Sequence, residues 1–261
     1  TSNSFKSPFK AFPLNSEDKI QIDLAYNAIN FCYWGNPKWS INYQDNEIGG
    51  AYGMKAAFNR ALEEDFPLLD SSFLENISKK DFAQITRGNI QIPLFNERLS
   101  FLRQLGSILN KSYDGEAARI IEAGKGNALA LLEEIANNFP CYYDASTYKD
   151  KEVLFFKRAQ LFVDNVHKEQ KKQGRGLSDV ERLTALADYK VPQILRNKGI
   201  LEYTPRLSLD IDNYQIIPAG SPEEIEIRAF TLEAVEQMVK MLKPRLPGLT
   251  SIDLDKFLYL E

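Results

Sequence analysis

After Pro93, leucines recur at positions 94, 99, 102, 105 and 109, chiefly three or four residues apart. Only a helix gathers residues at that spacing onto one side, and a proline is tolerated in a helix's first turn. The spacing therefore predicts a long helix opening at Pro93, with an apolar stripe turned to a core. The same period governs most of the chain. Ser16, Glu17 and Asp18 offer a cap and an acidic first turn for a helix running through Ile22, Ala25, Ala28 and Ile29 to Trp34. Further helices are expected over residues 52–64, 116–123, 127–138 and 221–242, with Pro140 ending the third of these. Ser78 followed by Asp81 gives a capping-box-like start to a short helix, and Thr250 with Asp253 caps a last one that carries Asp255.

Residues 36–50, in which Trp39, Ile41 and Tyr43 alternate, read as a loop or a small hairpin. Residues 153–156 are an apolar run, either a buried strand or the entry to a helix over 157–168. Residues 168–176 (KEQKKQGRG) form a polar, basic connection expected in solvent. The fold class is all-α with at most one small β-hairpin. One domain over residues 1–261 is expected; were it to divide, residues 140–150 are the place, although no linker composition marks them.

Hydrophobic residues make up 44% and charged residues 26% of the chain, as in an ordinary globular protein with ample core. The net charge of −4 argues against a polynucleotide binder, which needs a basic surface for phosphate contacts. A small phosphorylated ligand needs only one or two local cations. Cys32 and Cys141 stand far apart, so neither a disulfide framework nor a metal knuckle is indicated. No apolar run approaches the ~18–20 residues that span a bilayer, so no membrane partner is expected. The start, TSNSFKSPFKAFP, is polar and broken by prolines, unlike a secretory signal, and a cytoplasmic placement is the expectation. The only histidine, His167, sits where a helix meets a charged loop and is expected to face solvent. That removes Cys–His and Ser–His hydrolases and histidine-bearing zinc sites. Gly124-Lys125-Gly126 is too short for a phosphate-binding loop and reads as a turn.

Two acids stand where core residues belong. Read as a helix, residues 184–195 (TALADYKVPQIL) put Ala185, Asp188, Pro192 and Leu195 near one stripe, so Asp188 points along the apolar side, and Pro192 kinks or restarts the helix. Asp255 lies three residues after Ile252 and three before Leu258. Burying a carboxylate costs on the order of several kcal/mol unless a charge or hydrogen bond meets it. Two inward acids on separate elements therefore mark a polar site in an apolar interior.

Several stretches in this order resemble the queuosine salvage family, the queuosine 5′-phosphate N-glycosylase/hydrolases. They are residues 29–34 (INFCYW), 56–62 (AAFNRAL), 93–98 (PLFNER), Phe139-Pro140, 156–160 (FKRAQ), 187–195 (ADYKVPQIL), 224–228 (EIEIR) and Leu254-Asp255. FKRAQ together with ADYxxPQ is the specific combination. The resemblance implies a compact helical domain similar to the base-excision DNA glycosylases. It also implies hydrolysis of the N-glycosidic bond of queuosine 5′-phosphate to free queuine and ribose 5-phosphate, without metal or organic cofactor. Fold alone would not license that function; the residue matches carry it.

Asp255 matches the family's catalytic acid. Cleaving an N-glycoside builds positive charge at C1′ and the ring oxygen, which a carboxylate can stabilise, capture covalently, or meet with an oriented water. On the residues alone, Asp255 reads first as an acid near a helix N-terminus, and the resemblance is what puts catalysis ahead. Asp188 matches the acid that reads the base: one carboxylate can accept both N1–H and the exocyclic amine of a guanine-like edge. A salt bridge to Lys190, Arg182 or Arg228 is its alternative. Lys157 and Arg158 are adjacent cations, one expected on the 5′-phosphate and the other on a buried acid such as Glu224 or Glu226. Gln160 suits a sugar hydroxyl, while Arg228 and Glu226 read as internal bracing. Trp34, Tyr33 and Phe31, like Tyr189 and Tyr52, either wall the base pocket or belong to the core.

The chain departs from the family at several points. Leu186 stands where a stacking Phe is found and would pack on the base without π-stacking. Lys256 replaces an aromatic after Asp255 and is expected to reach sugar or phosphate. Phe12-Pro13 stands for His-Pro, and Leu260, with Glu261 next to it, falls where a second acid is expected. The family also continues past this point with a basic, aromatic tail. Two other classes were weighed: a carrier that holds a 7-deazaguanine without cleaving it, and a polynucleotide base-excision glycosylase, which the acidic balance opposes.

Overall fold

A computed structural model describes residues 8–260; Glu261 and the first seven residues of the N-terminal segment lie outside them. The described chain is mostly helical, with two small antiparallel strand pairs. It divides into two compact units, Thr1–Ala123 with Asn138–Cys141, and Gly124–Asn137 with Tyr142–Glu261.

The first unit holds α1 (Ser16–Ala28), β1 (Ser40–Tyr43), β2 (Asn46–Gly49), α2 (Gly50–Glu63), α3 (Ser71–Asn76), α4 (Lys79–Ile85), α5 (Phe95–Ser112) and α6 (Ala117–Ala123). Asn15, not Ser16, caps α1, accepting the N–H of Asp18. The helix stops at Ala28 instead of reaching Trp34. Arg98 explains the stop: its fully buried guanidinium takes the carbonyls of Ile29, Phe31 and Cys32, the last two at 2.6 and 2.7 Å, and draws the chain off the helical path. Its planar face lies over the rings of Phe31 and Tyr33.

The leucine stripe lies on α5 as expected at 99, 102, 105 and 109, all buried, but Leu94 is exposed. Leu94 sits before the helix in a left-handed conformation, φ +55°, that turns the chain into it. Gly106 lets α5 approach α3: a Cβ there would lie 2.3 Å from the amide nitrogen of Glu75. Ser78 caps α4 through the N–H of Asp81, as the capping box predicts.

The second unit holds α7 (Ala128–Asn138, whose last residue falls in the first unit), β3 (Ala145–Tyr148), β4 (Lys151–Leu154), α8 (Lys157–Lys171), α9 (Lys190–Asn197), α10 (Pro205–Asp212), α11 (Pro222–Leu242) and α12 (Ser251–Leu260). The apolar run 153–156 is thus both strand end and helix entry, and α8 extends to Lys171, so only the remainder of 168–176 is connection. β3 and β4 make a second hairpin, with Ala145 opposite Leu154 and Tyr148 opposite Lys151. Its two-residue turn, Lys149-Asp150, has φ of +49° and +62°, the sign that matches strand twist. The first hairpin turns the same way at Gln44-Asp45. Val191 and Leu195 of α9, Val235 and Val239 of α11, and Leu254 and Leu258 of α12 share one buried cluster with Ala185.

Residues 184–189 are not helical; α9 begins only at Lys190. Side chains from elsewhere take the backbone groups a helix would use. Gln160 accepts the Thr184 N–H at 2.7 Å, Asp255 accepts the Leu186 N–H at 3.0 Å, and Arg228 donates to the Ala187 carbonyl at 3.0 Å. Pro192 causes no kink, because it stands in the first turn of α9, where its missing N–H costs nothing.

Candidate active site

Hairpin β3–β4 closes at a neck. The main-chain carbonyl of Asp144 accepts the N–H groups of Phe155 at 2.9 Å and Phe156 at 3.3 Å, while its side chain accepts the N–H of Lys157 at 3.1 Å. Phe156, at φ +50°, turns the strand into α8, so Lys157 emerges as the helix's first residue. From there Lys157, Gln160 and Asp164 follow at three- and four-residue spacing, a polar line on a helix whose Ala159, Phe162, Val163 and Val166 are buried.

Asp188 lies just before α9, its Oδ1 accepting the N–H of Lys190, the helix's first residue, at 2.8 Å. Its Oδ2 lies 3.7 Å from the Lys157 ammonium. Asp255 projects from α12, 2% exposed, and accepts the Leu186 N–H at 3.0 Å. Burial pushes its carboxyl up to about 8; the charge of Asp188 pushes the same way, while the Leu186 hydrogen bond and Lys157 partly oppose it. Lys157 in turn is held below the usual lysine range, chiefly by burial and also by Arg158, against the opposing pull of Asp188, Asp255 and Asp144. Two carboxylates and a lysine thus act on one another from three elements. A proton on Asp255 therefore answers to both of its charged neighbours.

The expected residues fall as follows. Lys157, Asp188 and Asp255 come together, and Leu186 joins them through its backbone, its side chain buried. Arg158 is half-buried, near enough for its charge to act on Asp144 and Lys157. Tyr189 is exposed at the start of α9. Trp34 belongs to the first unit, half-buried in the irregular stretch after α1. Lys256 turns its ammonium to Asp164, a buried acid of α8 that also pairs with Lys168 at 3.0 Å.

Several expected partners are corrected. Asp188 pairs with Lys157, and not with Lys190, Arg182 or Arg228; Lys157 accordingly does not meet Glu224 or Glu226. Glu224 pairs with Arg228 at 3.3 Å and Glu226 accepts the Tyr148 hydroxyl. Gln160 is committed to protein: its amide donates to the Phe155 carbonyl and the Thr184 hydroxyl, both at 2.9 Å. His167 is half-buried, its Nδ1 3.2 Å from the Leu177 carbonyl. Asp144 and Asp164 were not singled out in the sequence. Asp164 had a signal, its register with Lys157 and Gln160; Asp144 lies in a turn and had none.

Among the described residues no group of three or more His, Cys, Asp or Glu is placed to hold a metal ion, and no helix is long and apolar enough to cross a membrane. The model of the queuosine salvage protein family matches residues 12–261. The chain belongs to the queuosine salvage protein family. Similar members, each named queuosine 5′-phosphate N-glycosylase/hydrolase, include that of Sphaerobacter thermophilus, 40% identical over 239 residues, which cover 91% of this chain and 74% of the relative. That of Nematostella vectensis is 32% identical over 254 residues, 92% of this chain and 73% of the relative. That of Dictyostelium discoideum is 33% identical over 218 residues, 82% and 64% respectively. Within this chain, the stretches FKRAQ and ADYKVPQIL supply Lys157 and Asp188, the two ends of the ion pair.

Proposed function

We propose that this chain hydrolyses the N-glycosidic bond of queuosine 5′-phosphate, releasing queuine and ribose 5-phosphate for salvage. The relatives' names support the substrate, and one observation supports the chemistry: Asp255 is buried within electrostatic reach of Asp188 and Lys157. As the C1′–N bond lengthens, C1′ and the ring oxygen become positive, and an ionised Asp255 beneath the ribose offsets that charge. Attack on C1′ and activation of water both require the ionised form. Asp188 accepts the N1–H and amine of the deazaguanine edge, with the Lys157 ammonium beside it. Leu186 packs beside the base. Lys157 is committed to the carboxylates, so in this reading Arg158 meets the 5′-phosphate, with Tyr189 as a further wall. Lys256, held on Asp164, supports α12 from behind.

Incubation with queuosine 5′-phosphate followed by chromatography tests the proposal. Equimolar queuine and ribose 5-phosphate are expected, and nucleotide recovered intact would reduce the protein to a carrier. The unphosphorylated nucleoside, run alongside, measures what the phosphate contributes.

A further inference from the structure

The geometry points to Arg228 and Asp144 as positioning residues: a side-chain bracket that holds the backbones carrying Lys157 and Asp188 at the spacing the reaction needs. This rests on the function proposed above. Arg228 stands in the second turn of α11, largely buried, with its guanidinium over the Phe155 ring at 3.8 Å. Its Nε donates to the carbonyl of Ala187, the residue before Asp188, at 3.0 Å. One terminal nitrogen donates to Asp144 at 2.6 Å, and the other lies 3.3 Å from Glu224. The same Asp144 oxygen accepts the backbone N–H of Lys157. A continuous chain therefore runs from the Asp188 segment, through Arg228 and Asp144, to Lys157.

The ion pair needs such a frame. At 3.7 Å it is too long for a strong hydrogen bond, and a four-carbon lysine stem does not fix its own end. The planar fork of Arg228, seated on Phe155, fixes three acceptors in different directions at once, which a lysine ammonium at that position cannot reproduce. Asp144 holds its charge because Arg228 bonds to it: burial pushes its carboxyl up, but the guanidinium and the Lys157 N–H bring it below the usual range. Gln160 makes a parallel tie between Phe155 and Thr184, so the fold of the two segments does not hang on Arg228 alone.

The test compares wild type with Arg228→Lys, Asp144→Asn and Glu224→Gln. Turnover of queuosine 5′-phosphate, its pH profile, calorimetric binding of queuine and melting temperature are measured for each. Arg228→Lys and Asp144→Asn should raise KM and weaken queuine binding about tenfold, the cost of roughly one well-placed hydrogen bond. Both should also move the ascending limb of kcat/KM to lower pH, because the Asp188 charge that pushes Asp255 upward is no longer held in place. Glu224→Gln leaves the span from Ala187 to Lys157 intact and should stay close to wild type. Wild-type KM and limb position in Arg228→Lys would overturn the bracket, as would losses that disappear once activity is expressed per folded molecule. If Arg228→Lys does not fold, Asp144→Asn decides by the same criteria. A wild-type protein that binds queuine without turnover refutes the proposed hydrolysis and leaves the bracket to be judged by binding. One that neither cleaves nor binds refutes both.

Discussion

The side chain of Asp255 accepts the backbone N–H of Leu186 at 3.0 Å, joining the acid of α12 to the non-helical segment that presents Asp188. The bond holds a buried carboxyl in place and, with those from Gln160 and Arg228, takes up backbone groups that a helix would use.

Replacing Asp255 with Asn keeps that hydrogen bond, since the amide oxygen can accept it, and removes the ionisable group. Turnover should fall by at least about 10³-fold while nucleotide binding persists, as expected when transition-state charge loses its partner. Stability should move the other way. Between the ordinary carboxylate range near pH 4 and the folded value of about 8, the folded wild type keeps a proton that the unfolded chain has released. Its stability therefore declines as pH rises through that window. Asp255→Asn should not share the decline and should melt several degrees higher at pH 8. Thermal scans from pH 4 to 9 compare the two.

Activity should follow the same titration with the opposite sense. With Asp255 required ionised, kcat/KM rises with pH and levels off above about 8. In Asp188→Asn the like charge beside Asp255 is gone, so the limb should shift to lower pH. The amide also sets donors against the donors of the base, and kcat/KM should fall about 10²-fold, mostly in KM. A limb that stays in place would show that the two acids do not act on each other.

Asp164 should be costly to remove alone. It is a buried acid meeting Lys256 and Lys168. Asp164→Leu takes the buried carboxylate away from Lys256 and Lys168 and should cost about 2 kcal/mol or more, whereas adding Lys256→Met should recover part of the loss. A double-mutant cycle in urea measures the coupling, and simple additivity would mean that the pair holds nothing together.

Gly106→Ala should destabilise the first unit by about 1–3 kcal/mol, because its Cβ would meet the backbone of α3, which an added methyl cannot push aside cheaply. The melting temperature reads this, and queuine binding by folded protein should be unaffected.

Most of the helices and the burial of Asp255 were legible because apolar spacing is a local signal. The stripe at Leu99 to Leu109, the Ser78 cap and the inward pointing of Asp255 all follow from residues within a few turns, whereas Asp188 was reached through a helical pattern that its segment does not adopt. What failed depends on distant partners. Residues 184–189 carry a helical pattern, but Gln160, Asp255 and Arg228 bond their backbone in an irregular, non-helical path. Helix α1 ends early because Arg98, far along the chain, takes the carbonyls of the residues that would continue it. The second hairpin escaped notice because Lys149-Asp150 lacks the glycine or asparagine that advertises such a turn. Short α3 and α10 went unread, although Thr204-Pro205 is a serviceable helix start. The Lys157–Asp188 pairing joins two segments that no spacing rule connects.

In the proposed reaction Asp255 rests protonated and works ionised, so it has to release its proton between encounter and bond cleavage. Near neutrality that proposal ties nucleotide capture to proton exchange with the medium. The heat of binding should depend on the ionisation enthalpy of the buffer, and acidification should slow salvage while leaving the fold intact.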